Sequence, residues 1–244
     1  MATNWLAQLQ TFSETAFDRY SVAKIDFLTG VGRNLLPDGF WGGHCGVSPA
    51  AEAPIYLTFD DGPDPHTTPR LLELLEENGV QAMFFLIGRH VERHPELVQS
   101  IKKAGHTVAN HSYSHPWLLS LPTPALEEEI ERTNRAIEDV TGEAPTFFRA
   151  PYGFMDQRAG DCLKERNMTP VYWGAAPEDW SAPGTERVVR RVLWKLAPGT
   201  VVVLHEGYGI GDQTIAAAKQ IICTAKDRGL KMAQVKASAR FQTP

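Results

Sequence analysis

Seven short apolar runs, near residues 55–59, 82–87, 106–109, 146–149, 169–174, 200–204 and 231–236, alternate with amphipathic segments. This alternation constrains the fold more than any other feature of the chain. Runs of this length read as buried strands. Most intervals carry apolar residues at three-four spacing, as in Leu71, Leu72 and Leu75, or Leu126, Ile130 and Ile137. Val188, Val189, Val192 and Leu196 mark a further helix, and Ile215, Ile222 and Ala225 the last. The segment from Met155 to Arg166 is the least periodic of the expected helices. Pro69, Pro95 and Pro124 fall where helices start, and Gly79, Gly105, Gly142, Gly199 and Gly229 where they end. Strands alternating with helices build a parallel sheet. Closed, it is a seven-stranded relative of the (β/α)8 barrel; open, it is doubly wound. In both, chemistry belongs at the carboxyl ends of the strands.

Polar residues collect at those ends. The first run leads into Thr58-Phe59-Asp60-Asp61-Gly62-Pro63-Asp64, where Gly-Pro breaks the strand. Two adjacent carboxylates repel each other and are costly to desolvate, a cost that a cation removes. Neighbouring strand residues point to opposite faces, so Asp60 and Asp61 are expected to do different work: one holds a metal, the other moves a proton. After the third run comes Asn110-His111-Ser112-Tyr113-Ser114-His115-Pro116. On a helical turn, His111 and His115 would share one face within reach of one ion. With a strand-end Asp they make a His2Asp set with open positions, the catalytic rather than structural pattern. Zinc is the first expectation for such ligands, with cobalt, nickel, manganese or iron as alternatives. His66, His90, His94 and His106 read as turn, surface or packing residues.

The rest of the composition excludes more than it specifies. A net charge of -5 and no Lys/Arg-dense run give no footprint for nucleic acid. No apolar stretch approaches the roughly 20 residues of a transmembrane span. The start lacks the basic patch and apolar block of a secretion signal, which points to a cytoplasmic protein or to one whose signal has been removed. Cys45, Cys162 and Cys223 are odd in number and far apart, and read as buried free thiols. Trp5, Leu9, Phe12, Ala16, Tyr20, Ala23 and Phe27 follow helical spacing. They predict an amphipathic helix whose apolar face packs on the main domain, in preference to a membrane-surface or partner helix. Residues 39–51, with His44 beside Cys45, read as an irregular lead-in. The division expected is 1–53 for the helix and lead-in, and 54–244 for a catalytic domain.

With these residues in view, the chain resembles the polysaccharide deacetylases of carbohydrate esterase family 4, the NodB-homology group, over roughly residues 54 to 237. Thr58-Phe59-Asp60-Asp61-Gly62 resembles the family's first motif, His111-Ser112-Tyr113-Ser114-His115 its second and Arg149-Ala150-Pro151-Tyr152-Gly153 its third. Asp179-Trp180 and Leu204-His205 resemble the fourth and fifth. The resemblance implies a distorted (β/α)7 barrel preceded by the helical extension. It implies that Asp61, His111 and His115 hold the metal and that Asp60 is the base for a metal-activated water. It further implies that Arg149 pairs with Asp60 and that the Tyr152 N–H meets the oxyanion. His205 is implied as the acid, oriented by Asp179, and Trp180 and Leu204 as the wall of an acetyl-methyl pocket. Ala176 stands where the family often has Asp, and Glu206 where Asp is common. The implied substrate is an acetylated carbohydrate: an N-acetylglucosamine glycan such as chitin oligomers or peptidoglycan, or acetylated xylan. Trp41, Trp117, Tyr113 and Trp173 offer faces for sugar rings. Competing readings are an allantoinase-like hydrolase of small amides or ureides, an iron oxygenase, and a non-catalytic carbohydrate-binding protein. The α/β alternation counts against the oxygenase. The full set of Asp60, Asp61, His111, His115 and His205 counts against loss of catalysis.

Overall fold

The structure is a computed structural model that describes residues 2–36, 38–42 and 53–235. The elements, in order, are α1 (Ala2–Leu35), β1 (Tyr56–Gly62), α2 (Thr68–Asn78), β2 (Met83–Leu86), α3 (Gly88–Arg93), α4 (Pro95–Lys103) and β3 (Thr107–Asn110). There follow α5 (Thr123–Thr141), β4 (Phe147–Phe148), α6 (Gln157–Glu165), β5 (Thr169–Pro170), α7 (Thr185–Lys195), β6 (Val201–His205) and α8 (Gly211–Asp227). Proline opens α2, α4 and α5, and left-handed Gly79 and Gly142 close α2 and α5. The weakly periodic stretch after Met155 does form a helix, α6, capped by Asp156.

The strands form one parallel sheet in the order β5-β4-β3-β2-β1-β6. Past β5 the chain bridges back from Ala175 to Val202 on β6, so the two edges meet and the sheet curls into a distorted barrel. The seventh expected strand is reduced to a single parallel bridge between Met232 and Ile55, and residue 236 lies outside the described residues. Its short run is Lys231-Met232-Ala233-Gln234-Val235, whose mixed polarity offers little to bury against both neighbours.

Strand parity divides the core. Leu57, Phe59, Phe84, Leu86, Val202 and Leu204 face the helices and pack with Leu71, Leu75, Ile101, Val188 and Ile221. The alternate set, including Met83, Phe85, Ala109 and Val201, fills the barrel interior. Each fully buried aliphatic or Phe side chain contributes roughly 1.5–3 kcal/mol. At the carboxyl ends of the strands polar side chains take over.

The N-terminal helix docks on the barrel, but not by the expected face. Ala16, Tyr20, Ala23 and Phe27 point outward, with Tyr20 65% and Phe27 70% exposed. The side chains of Trp5, Leu9 and Phe12 lie outside the described residues. The inward face is Asp18, Ser21, Ile25, Leu28 and Gly32. Asp18 is fully buried and accepts from Arg187 Nε at 3.0 Å, Arg190 Nε at 2.9 Å and Arg191 Nε at 2.9 Å, all on α7. Burial pushes its carboxyl up, but the three guanidiniums outweigh that and hold it below the usual range. The clamp, not the apolar stripe, selects the face.

Two cysteine assignments divide: Cys162 is buried and Cys223 exposed, both free. Cys45 and His44 lie outside the described residues.

Candidate active site

The barrel mouth gathers the polar strand ends around one cavity of about 570 Å³. Asp60, Asp61, His111, His115, Arg149, Tyr152, Trp180 and His205 all line it.

Asp60 points inward by strand parity, along with Thr58. Asp61 should then point away, as the alternation predicts. Instead the register slips between Asp60 and Gly62, and Asp61 takes a φ of 73°. That turn brings both carboxylates into the mouth. Gly62 leaves room beside them for the Glu206 carboxyl, which a Cβ there would displace. His90, on α3, donates from Nδ1 to the Asp61 carbonyl at 2.9 Å and holds the turn.

His111 and His115 are brought together by a loop rather than a helical turn. Ser112 and His115 have φ values of 64° and 60°. Conformations of this kind cost of order 1–3 kcal/mol each and need support. Asn110 supplies some: its Nδ2 donates to the Ile130 carbonyl and Asn134 Oδ1, and its Oδ1 accepts from Ser112 N at 2.7 Å. Glu129 supplies more, accepting from Tyr113 N, Ser114 N and Ser114 Oγ, and Ser112 Oγ accepts from His115 N at 3.1 Å.

The result is a compact ligand set. One ligand atom each from Asp61, His111 and His115 lies within 4.8 Å of the others. His111 Nε2 is 3.4 Å and His115 Nε2 3.3 Å from Asp61 Oδ1, a buried oxygen with no hydrogen-bond donor. His111 donates from Nδ1 to the Arg149 carbonyl at 2.7 Å, which leaves Nε2 for an ion. Burial pushes the Asp61 carboxyl up, but the His111 imidazole beside it, then His205 and His115, outweigh burial and bring it down to about 2. Burial, with His111 beside it, lowers His115 to about 4. An ionised carboxylate and neutral imidazole are the protonation states a divalent cation needs. The residues present fit a three-ligand metal with open positions.

Arg149 lies behind Asp60. Its Nη1 donates to Asp60 Oδ1 at 2.6 Å and to Thr58 Oγ1 at 2.7 Å. Nε and Nη2 donate to the Val171 and Tyr172 carbonyls, and the guanidinium stacks on Phe85. Every group that fixes Arg149 therefore fixes the direction of Asp60.

Opposite stands His205. Its Nδ1 pairs with Asp179 Oδ1 at 2.8 Å, while its backbone N–H donates to Asp179 Oδ2 at 2.8 Å. Burial disfavours the imidazolium, but Asp179, then Asp60 and Asp61, outweigh burial and raise His205 to about 9. Asp179 itself lies behind His205, off the cavity wall. Trp180 meets the His205 ring edge-on at 4.9 Å between centroids.

Leu204 is the one proposed site residue that the fold takes elsewhere. It is fully buried in the layer between sheet and helices. Its neighbour Val203 lines the cavity instead, because β6 turns odd-numbered residues inward. Among the aromatics, Trp173 reaches the wall, whereas Trp41 is buried and stacked on Tyr172 at 4.1 Å. Tyr113 packs under Arg132 and donates to Glu92. Trp117 is 43% exposed and lies 5.6 Å from the Tyr152 ring, itself 61% exposed.

Several contributors gave no sequence signal. Phe154, Tyr208 and the α1 residues Lys24, Ile25 and Leu28 line the cavity without a motif. Glu129 and His90 act through the backbone of other residues. Glu206 is buried beneath Gly62, accepts from the Thr68 hydroxyl, and is pushed up to about 8 by burial and by nearby Asp64, Asp61 and Asp60.

A family profile described as polysaccharide deacetylase matches residues 48–171. A chitooligosaccharide deacetylase from Rhizobium leguminosarum bv. trifolii is 38% identical over 189 residues, which is 73% of this chain and 88% of that protein. A peptidoglycan-N-acetylglucosamine deacetylase from Bacillus cereus is 35% identical over 196 residues, covering 80% of this chain and 92% of its own length. The solved family 4 carbohydrate esterase from Streptomyces lividans, in complex with acetate, superposes with a TM-score of 0.71 at 33% identity. It covers 78% of this chain and 96% of that one. The chain belongs to the polysaccharide deacetylase family, carbohydrate esterase family 4, and is a hydrolase of that class.

Proposed function

We propose that the protein removes acetyl groups from an N-acetylglucosamine-containing glycan, using a divalent metal held by Asp61, His111 and His115. The observation that carries this reading is one orphaned, ionised carboxylate oxygen flanked by two imidazole Nε2 atoms, with a second carboxylate and an acid pair around them. The relatives' names supply the substrate class.

Asp61, His111 and His115 would hold a divalent ion, zinc by ligand type, which would supply Lewis-acid polarisation of the acetyl carbonyl and a more acidic water. Asp60 takes the proton from the attacking water, its second oxygen aimed by the Arg149 contact. The backbone N–H of Tyr152 donates to the developing oxyanion. His205, protonated near neutrality through Asp179, gives its proton to the departing nitrogen, which leaves poorly as an anion. Trp180 and Val203 shape the space for the acetyl methyl.

The test is to incubate zinc-loaded protein with chitooligosaccharides, peptidoglycan fragments and acetylated xylan, then follow acetate and product mass. Acetate from the N-acetylglucosamine substrates, lost on chelation and restored by metal, is expected. No acetate from any of them, with metal bound, would overturn the reading.

A further inference from the structure

Glu178, the residue before Asp179, has a φ of 57° and a ψ of 40°. A left-handed backbone of this kind is unfavourable for a non-glycine residue and persists only where its surroundings hold it. It opens a three-residue turn, Asp179–Ser181, that ends on a second left-handed residue, Ala182. Gln213 on α8 donates to the Asp179 carbonyl at 3.0 Å. Further hold comes through the Glu178 side chain. Its two carboxylate oxygens are taken by α1 residues one turn apart: Ser21 Oγ donates to Oε2 and Lys24 Nζ to Oε1. Arg191 on α7 stands 3.6 Å from Glu178 Oε2, and donates to the Pro177 carbonyl at 2.7 Å and to Asp18 of α1 at 2.9 Å. Burial pushes the Glu178 carboxyl up, but Lys24 and Ser21, then Arg191, outweigh it and hold it below the usual range. Both Asp179 oxygens in turn bond His205. A helix that precedes the profile-matched residues 48–171 thus reaches the acid pair through one side chain and one peptide bond.

We propose that Ser21 and Lys24 are positioning residues for the proton-donating pair: by holding Glu178 they set the direction of the Asp179 carboxylate and keep His205 aligned. This rests on the deacetylase reading and adds that α1 helps to carry out its proton transfer.

The sign of a pH shift separates positioning from a plain charge effect. His205 is faced by Asp179, by Asp60 and Asp61 of β1, and by the uncharged Thr214 of α8, and Lys24 stands on the same cavity wall. Removing the Lys24 cation favours the imidazolium by charge alone, and would move the loss of the His205 proton to higher pH. Letting Asp179 drift takes away the largest support of the imidazolium, and moves that loss to lower pH.

The experiment is Ser21→Ala/Lys24→Met in the metal-loaded full chain, which keeps the Asp18 clamp and the apolar stem at position 24. Nitrogen NMR of the imidazole follows the His205 proton, and acetate release from chitopentaose gives kcat and KM. The proton is expected to leave about one pH unit lower than in wild type. The kcat is expected to fall roughly tenfold to a hundredfold, at unchanged KM and metal content. A shift upward, or none, in the folded variant overturns the proposal. So does a change confined to KM, which would make Lys24 a substrate contact. If the double variant fails to fold, the single variants Ser21→Ala and Lys24→Met are read in the same way. Failure of the deacetylase reading looks different: wild type releases no acetate from any glycan, while the NMR shift still decides the positioning.

Discussion

At the barrel mouth, apolar residues point inward along each strand until the carboxyl end, where carboxylates and imidazoles take their place. On α1 the arrangement is reversed. The described part of its apolar stripe, Ala16 to Phe27, faces solvent, and a fully buried carboxylate sits at the docking surface among three arginines. Both regions bury Asp, but for different ends. The mouth leaves Asp61 Oδ1 without a donor, ready for a cation from solution, whereas Asp18 has its cations built into α7. A buried carboxylate whose positive partners are all side chains is a fastener; one left short of them is a candidate for a cation.

Removing groups at the mouth tests that contrast most severely. His111→Ala should lose bound metal and activity together, checked by metal analysis and acetate release; full occupancy would take His111 out of the ligand set. Asp60→Asn should keep the metal and lose roughly 10²–10⁴ in rate, the span of general acid–base catalysis. A fully active variant would mean that some other group takes the proton.

The acid pair gives a pH signature. As the proposed acid, His205 must be protonated to act, so turnover should fall as pH rises through about 9. The same sign holds for stability: the Asp179–His205 pair stabilises below the unfolded imidazole range and is lost as pH rises through about 9. Asp179→Asn removes the main cause of the raised value, and the alkaline limb should move toward the ordinary 6.5. A limb that stays in place would assign it to another group.

The mouth was readable in the sequence because motif residues sit at strand ends, and parity then fixes their direction. Where parity fails, the sequence names the right residues but not the backbone geometry that brings them together. Asp61 reaches the mouth through a register slip and a left-handed backbone, and His115 through a loop tied down by Glu129, a residue 14 positions on. Leu204 was assigned to the pocket by motif, whereas alternation along β6 puts Val203 there. On α1, helical spacing revealed the helix and the stripe. It did not reveal which face docks, because that depends on Arg187, Arg190 and Arg191, about 170 residues away.

That last point makes the two faces of α1 a matched pair of tests. Asp18→Ala leaves three guanidiniums around an empty position, and breaking a buried pair in this way costs on the order of 3–5 kcal/mol. Two of the arginines are partly exposed, which puts the loss toward the low end and directs it at helix docking. Limited proteolysis should then cut within α1 while the barrel resists. Phe27→Ser removes a far larger apolar group, yet from the solvent side, so its effect should stay within about 0.5 kcal/mol. Thermal unfolding of the two variants side by side orders them. If Phe27→Ser proved the more damaging, the stripe would be the docking surface and the arginine clamp a bystander.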